Sequence, residues 1–226
     1  MRKTREVRYI NGQLRYRYQV NGRQLDGLSE SWHENGQLAD RCNYKAGKPD
    51  GLYESWYENG QLKTRCNYKD GVKDGLYEEW YQNGKPLSRI NFKAGELDGL
   101  SEQWYANGRL EDRRTYKNGE EDGLVEWWYK TGRLSYRYTC KNGELIGLFE
   151  EWYANGHLKR RTNYKNGLQE GPDEQWYRNG QLWYRTNYKN GNMEGLCERW
   201  NKDGKLTVRQ RYKDDILLTT ETVTDC

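Results

Sequence analysis

The stretch "DGLYESWYENGQLKTRCNYKDGVK", Asp50–Lys73, runs directly into "DGLYEEWYQNGKPLSRINFKAGEL", Asp74–Leu97. The two have the same length and nearly the same order of residue types. Reading outward, the register holds for eight units of 24 residues, opening at Asp26, Asp50, Asp74, Asp98, Asp122, Ile146, Glu170 and Glu194 without an insertion. A fixed period of this size belongs to stacked repeat architectures, in which each unit buries its surface against its neighbours.

Within Asp50–Lys73, "GLYESWY" and "QLKTRCNYK" are two short runs joined by Asn59-Gly60, a strong local signal for a β-hairpin closed by a two-residue primed turn. A second glycine turn, Asp70-Gly71, reverses the chain into the next unit. Glycine recurs three times per unit, and each would cost about 1 kcal/mol inside a helix. The expected fold is all-β: an elongated, open, solenoid-like meander, a single-layer antiparallel β-sheet of stacked β-hairpin repeats.

Composition supports folding. Hydrophobic residues make up 34% of the 226 and charged residues 32%, yet the net charge is only +4 and aromatics reach 14%. Disordered chains are poor in aromatics and usually unbalanced in charge. No run approaches the roughly 20 apolar residues a membrane helix needs, and the basic N-terminal stretch lacks the apolar core of a signal peptide. These features point to the cytoplasm. The five cysteines, Cys42, Cys66, Cys140, Cys197 and Cys226, are odd in number. Cys42 and Cys66 sit at equivalent sites one repeat apart, roughly 10 Å if each repeat is two strands, beyond the reach of a disulfide.

Six sites are identical in all eight units: Gly at the second position, Glu at the fifth, Trp at the seventh, Gly at the eleventh, Arg at the sixteenth and Lys at the twentieth. Others drift freely. The residue before the repeat tryptophan runs Ser31, Ser55, Glu79, Gln103, Trp127, Glu151, Gln175, Arg199. Trp32, Trp56, Trp80, Trp104, Trp128, Trp152, Trp176 and Trp200 are expected to line up as a structural spine. With a two-residue loop, Glu54 faces Arg65 and Glu78 faces Arg89, cross-strand pairs of opposite charge. A three-residue loop would set Glu30 against Asp40, so the first register is preferred. It places Leu52, Glu54, Trp56 and Arg65 on one face and Tyr57, Leu62 and Tyr68 on the other. Residues 1–25 read as a degenerate capping repeat, 26–217 as the eight repeats, and 218–226 as a C-terminal capping strand or tail.

The pattern G-L-x-E-x-W-Y-x-N-G-x-L-x-x-R-x-N-Y-K-x-G, carried over 26–217 and weakly by the first unit, resembles the MORN-repeat variant family. The resemblance implies stacked hairpins that act as non-enzymatic scaffolds. Some relatives are labelled antitoxin components, others occur in large DNA viruses, and the wider family is linked to phosphoinositides and to dimerisation. Pro86, Thr131, Cys140 and Pro172 depart from the pattern.

No catalytic constellation is legible. His33 and His157 do not occupy matching positions, and the cysteines lack metal-ligand spacing. No cofactor is expected. Cys66 reads as a small buried residue. Lys45, Lys69, Lys93, Lys117, Lys141, Lys165, Lys189 and Lys213 form an edge row that anionic lipid or nucleic acid could contact, but acidic residues open seven of eight units beside it. Neutralisation argues against nucleic acid and leaves a membrane role as the weaker alternative. Tyr53, Tyr77, Trp127, Phe149 and Trp183, at sites that vary between units, form the expected surface for a protein partner. The alternatives are a toxin-neutralising binder, a virion component, a peripheral binder of anionic lipid, and self-association through the terminal strands.

Overall fold

The chain is described here over residues 1–223 by a computed structural model, in which it forms 21 β-strands of open, single-layer antiparallel sheet. Among the described residues there is no helix and no closed barrel. Cys226 and the end of the expected 218–226 cap lie outside them. Two compact units divide the chain.

The first unit holds residues 1–110 and 116–119. Its strands are β1 (Lys3–Arg8), β2 (Leu14–Asn21), β3 (Gln24–Trp32), β4 (Leu38–Lys45), β5 (Lys48–Trp56), β6 (Leu62–Lys69), β7 (Val72–Trp80), β8 (Pro86–Lys93) and β9 (Glu96–Trp104). β10 (Leu110–Lys117) supplies residues to both units. The second unit continues with β11 (Glu120–Glu121), β12 (Gly123–Trp128), β13 (Leu134–Lys141), β14 (Glu144–Trp152), β15 (Leu158–Lys165) and β16 (Leu168–Trp176). It ends with β17 (Leu182–Lys189), β18 (Asn192–Met193), β19 (Gly195–Trp200), β20 (Leu206–Lys213) and β21 (Ile216–Thr222).

The hairpin β5–β6 shows how one repeat is built. Glu54 lies opposite Arg65 and Ser55 opposite Thr64, but Trp56 lies opposite Leu62, so Lys63 is an extra, bulged residue. At the tip, Gly60 N–H donates to the Tyr57 carbonyl and Tyr57 N–H donates to the Gln61 carbonyl, both at 2.9 Å. The loop is therefore three residues, Glu58, Asn59 and Gly60, and only Gly60 has positive φ, at 80°. This corrects the expected two-residue turn. A type I turn followed by a left-handed glycine asks for one unusual backbone conformation rather than two. Asn59 serves through its side chain, whose Oδ1 accepts from Gln61 N–H at 3.1 Å. The bulge at Lys63 absorbs the odd residue and restores the Glu–Arg register. It also brings Leu62 opposite Trp56, onto the indole's face, not onto the Tyr57 face as expected from simple alternation.

The primed two-residue turn occurs at the other reversal. Asp70 and Gly71 have φ of 51° and 93°, and Lys69 pairs with Val72. Just beyond it, Asn67 alone faces the three residues Asp74, Gly75 and Leu76, because Cys66 pairs with Tyr77 and Tyr68 with Lys73. The second-position glycine sits in this wide bulge. Gly99, its equivalent, has φ of 105°, and a Cβ there would come within 3.3 Å of Asn91 Cβ. The positive φ is what calls for glycine at this position; at Gly51 and Gly75 a Cβ would meet nothing nearer than 3.9 Å. Two bulges per repeat bend the strands, and bending crowds the side chains of one face together. That crowding makes a core of small and polar residues: Val125 and Thr162 are 0% exposed, Asp173 1% and Cys66 2%.

Candidate functional site

The two faces of the sheet carry different kinds of residue. One is a ladder of charges and indoles. Arg65 lies between two glutamates, 3.8 Å from Glu54 and 3.9 Å from Glu78, and Arg89 continues the row at 3.1 Å from Glu78. These arginines are about half exposed, so each pair contributes at most about 1 kcal/mol. Most of the ladder guanidiniums also cover the next repeat's tryptophan: Arg41 on Trp56, Arg65 on Trp80 at 5.4 Å, Arg113 on Trp128, Arg137 on Trp152. Trp32, Trp104, Trp176 and Trp200 are half-buried like the other four repeat indoles.

At the hairpin tips, tyrosine hydroxyls tie one repeat to the next. Tyr57 donates to the Trp80 carbonyl, Tyr81 to Trp104 and Tyr153 to Trp176, each at 2.8 Å. His33 fills the same position and donates through Nε2 to the Trp56 carbonyl at 2.9 Å. His157 donates through Nδ1 to the Arg178 carbonyl at 2.9 Å. At the opposite edge the eight lysines are exposed. The acids that open the repeats lie beside them and serve as turn caps: Glu170 accepts from Asn190 N–H at 2.8 Å, and Asp122 pairs with Lys141 at 3.0 Å.

The other face holds the residues that change from repeat to repeat. Along β5 these are Tyr53 and Ser55, facing Cys66 and Thr64 on β6. In the first unit Tyr53 and Tyr77 are half-buried and meet Tyr68 and Phe92 edge-on, with ring centroids 6.1 and 6.0 Å apart. In the second unit an aromatic run passes from Trp127 to Tyr136, Tyr138, Phe149 and Tyr164, with successive centroids 5.6, 6.0, 6.0 and 6.4 Å apart. Arg114 caps the run, 5.0 Å from the Trp127 ring, and its guanidinium reaches Glu121 at 2.9 Å and Asp112 at 3.3 Å. Burial raises the Asp112 carboxyl above its ordinary range, with Arg114 working against the shift. Trp183 stands at the bulged site, 43% exposed, and tilts against Tyr177 and Tyr184.

Sequence reasoning located the five aromatics but missed the charged residues among them. Arg160 donates through Nε to Asp173 at 3.0 Å, and Gln169 and Gln175 donate to the same buried carboxylate at 3.0 and 3.2 Å. The usable signal was strand alternation: Asp112, Arg114 and Arg160 occupy the sixteenth position's immediate neighbours, which point away from the ladder. The four described cysteines are free and buried. Burial pushes the Cys42 and Cys140 thiols up to about 11. Among the described residues no group of His, Cys, Asp and Glu could hold a metal ion.

The sequence profile described as MORN repeat variant matches residues 25–46, 49–70, 73–94, 97–118, 145–166 and 169–190, over half of the chain. The chain belongs to the MORN repeat variant family. The MORN repeats at Asp122 and Glu194 fall outside the match but form the same hairpins, β12–β13 and β19–β20. No curated protein matches the chain. Among solved structures, one match is titled "Crystal Structure of TcdB2-TccC3". It is 10% identical with a TM-score of 0.24, and covers 93% of this chain but 14% of that one. At that score the likeness carries no argument. MORN repeats form scaffolds, often for protein or membrane binding, and are generally non-catalytic.

Proposed function

We propose that this MORN repeat protein is a non-enzymatic scaffold whose variable face engages a protein partner through Tyr53, Tyr77, Trp127, Phe149 and Trp183. One observation carries the reading: the strand sites that differ most between repeats, those flanking the invariant Glu and Arg, lie on one face, whereas the invariant Glu, Arg and Trp lie on the other. Sites that only hold hairpins together need no variety. A regular surface decorated with different aromatic, charged and small side chains has the composition of a recognition patch, rich in Tyr and Trp with some Arg. The peripheral-lipid reading is weaker because the acids beside the lysine row also serve as turn caps.

A photo-crosslinking residue placed at Tyr77 or Trp183 should trap a discrete set of proteins in cells of the native source. The same residue at Leu100, on the ladder face, should trap few. Equal labelling from the two faces would sink the reading. So would salt-sensitive binding of the full chain to anionic vesicles with no face preference for protein.

A further inference from the structure

In the first unit the variable face has a gap. β3 presents Ser29 and Ser31 at the two positions where the following repeats carry Tyr53 and Ser55, Tyr77 and Glu79, or Val125 and Trp127. No other repeat has serine at both. Ser31 lies opposite Tyr16 on β2 and Asp40 on β4, and Ser29 lies opposite Tyr18 and Cys42. Two small residues on the middle strand leave a hollow of about 220 Å³, walled by Tyr16, Tyr44, Tyr53 and Asp40.

Asp40 has no cation of its own among the described residues. Its Oδ2 accepts from Ser31 Oγ and its Oδ1 from the Tyr53 hydroxyl, both at 2.8 Å. Three other carboxylates on this face each meet a cationic side chain, Asp112 with Arg114, Asp173 with Arg160 and Glu151 with Lys159 at 2.7 Å, whereas Glu79, like Asp40, accepts from a serine hydroxyl. The two hydrogen bonds fix the Asp40 carboxylate, and the three tyrosines line the hollow with it. One of the lining rings already attracts a cation: the Arg15 guanidinium lies 5.1 Å from the Tyr16 ring centroid and 5.5 Å from that of Tyr9.

We propose that this hollow binds an organic ammonium cation, its charge against Asp40 and its methyl or methylene groups against Tyr16, Tyr44 and Tyr53. Aromatic rings attract such cations through their negative faces, and a soft, weakly hydrated ammonium loses little on leaving water. An anion would be repelled by Asp40, and a divalent metal ion would need several more oxygen ligands than the hollow supplies. The ammonium group can come from a free quaternary amine or from a methylated lysine on another polypeptide. The hollow takes it whether or not the rest of the face engages a partner.

Calorimetric titration of the full chain with choline, tetramethylammonium, and a short peptide bearing trimethyl-lysine tests this. The neutral choline isostere 3,3-dimethylbutan-1-ol is the control. Saturable binding is expected for at least one cation, about tenfold tighter than for the isostere. Asp40→Asn should weaken it about tenfold, and Tyr16→Ala, at an exposed rim ring, about fivefold with an unchanged unfolding midpoint. Tighter binding of choline assigns a free amine, and tighter binding of the peptide assigns a partner's methylated lysine. The site is rejected if no cation saturates, if the neutral isostere binds equally well, or if Asp40→Asn binds like the native protein.

Discussion

Asp173 and Arg160 show how a single pair can matter in a sheet with so little apolar core. The carboxylate is 1% exposed, while the guanidinium keeps about a third of its surface in water. Removing either partner should therefore have unequal effects. Arg160→Met leaves a buried negative charge held only by two amides and should cost about 3 kcal/mol. Asp173→Asn leaves an arginine that can turn to solvent and should cost about 1 kcal/mol. Urea titrations of both variants measure this, and the reverse order would contradict the account. The buried thiols make a second residue-scale prediction. With folded values near 11 for Cys42 and Cys140, against about 8.5 in an unfolded chain, the unfolded state loses these protons first. Stability is then fully present below about pH 8.5 and falls as pH rises towards 11, by up to about 1.4 kcal/mol per pH unit for each thiol. Unfolding midpoints that stay flat from pH 8 to pH 11 would show that burial does not hold these thiols neutral.

At the scale of the hairpin, backbone conformation divides the labour between two turns that look alike in sequence. Asn59-Gly60 reads as a primed turn and Asp70-Gly71 only as a glycine turn, yet the primed turn is the second. The distinction lies in whether a strand bulge follows, and nothing local to the two residues reveals it. At the primed site the first residue is Asn in Asn118, Asn142, Asn166 and Asn190, all near φ 50°, but alanine in Ala46 and Ala94. Alanine in the left-handed region costs roughly 1–2 kcal/mol relative to the right-handed one, and asparagine tolerates it better. Ala94→Asn should raise stability by about 0.5–1 kcal/mol in thermal unfolding. A lower melting temperature would mean that the methyl group makes a contact worth more than the strain.

At the largest scale, the contacts within each unit join strands that are neighbours in sequence, so the stability of a unit is close to a sum of repeat and nearest-neighbour contributions. Damage should stay local. Tyr57→Phe deletes the hydroxyl that donates to the Trp80 carbonyl and should accelerate hydrogen exchange in β5 to β8 while leaving β15 to β17 unchanged. Uniform loss of protection along the chain would show instead that the array unfolds as one body. The repeat period, the hairpins, the Glu–Arg register and the all-β class were legible in the amino-acid order, because glycine placement, strand alternation and charge pairing are local rules that eight copies state eight times. Only the folded chain decided where each repeat bulges, that Leu62 joins the indole face, and that Ser29, Ser31, Asp40 and three tyrosines border one hollow. Those outcomes depend on how bent strands bring side chains together across a sheet, and periodicity does not record that bend.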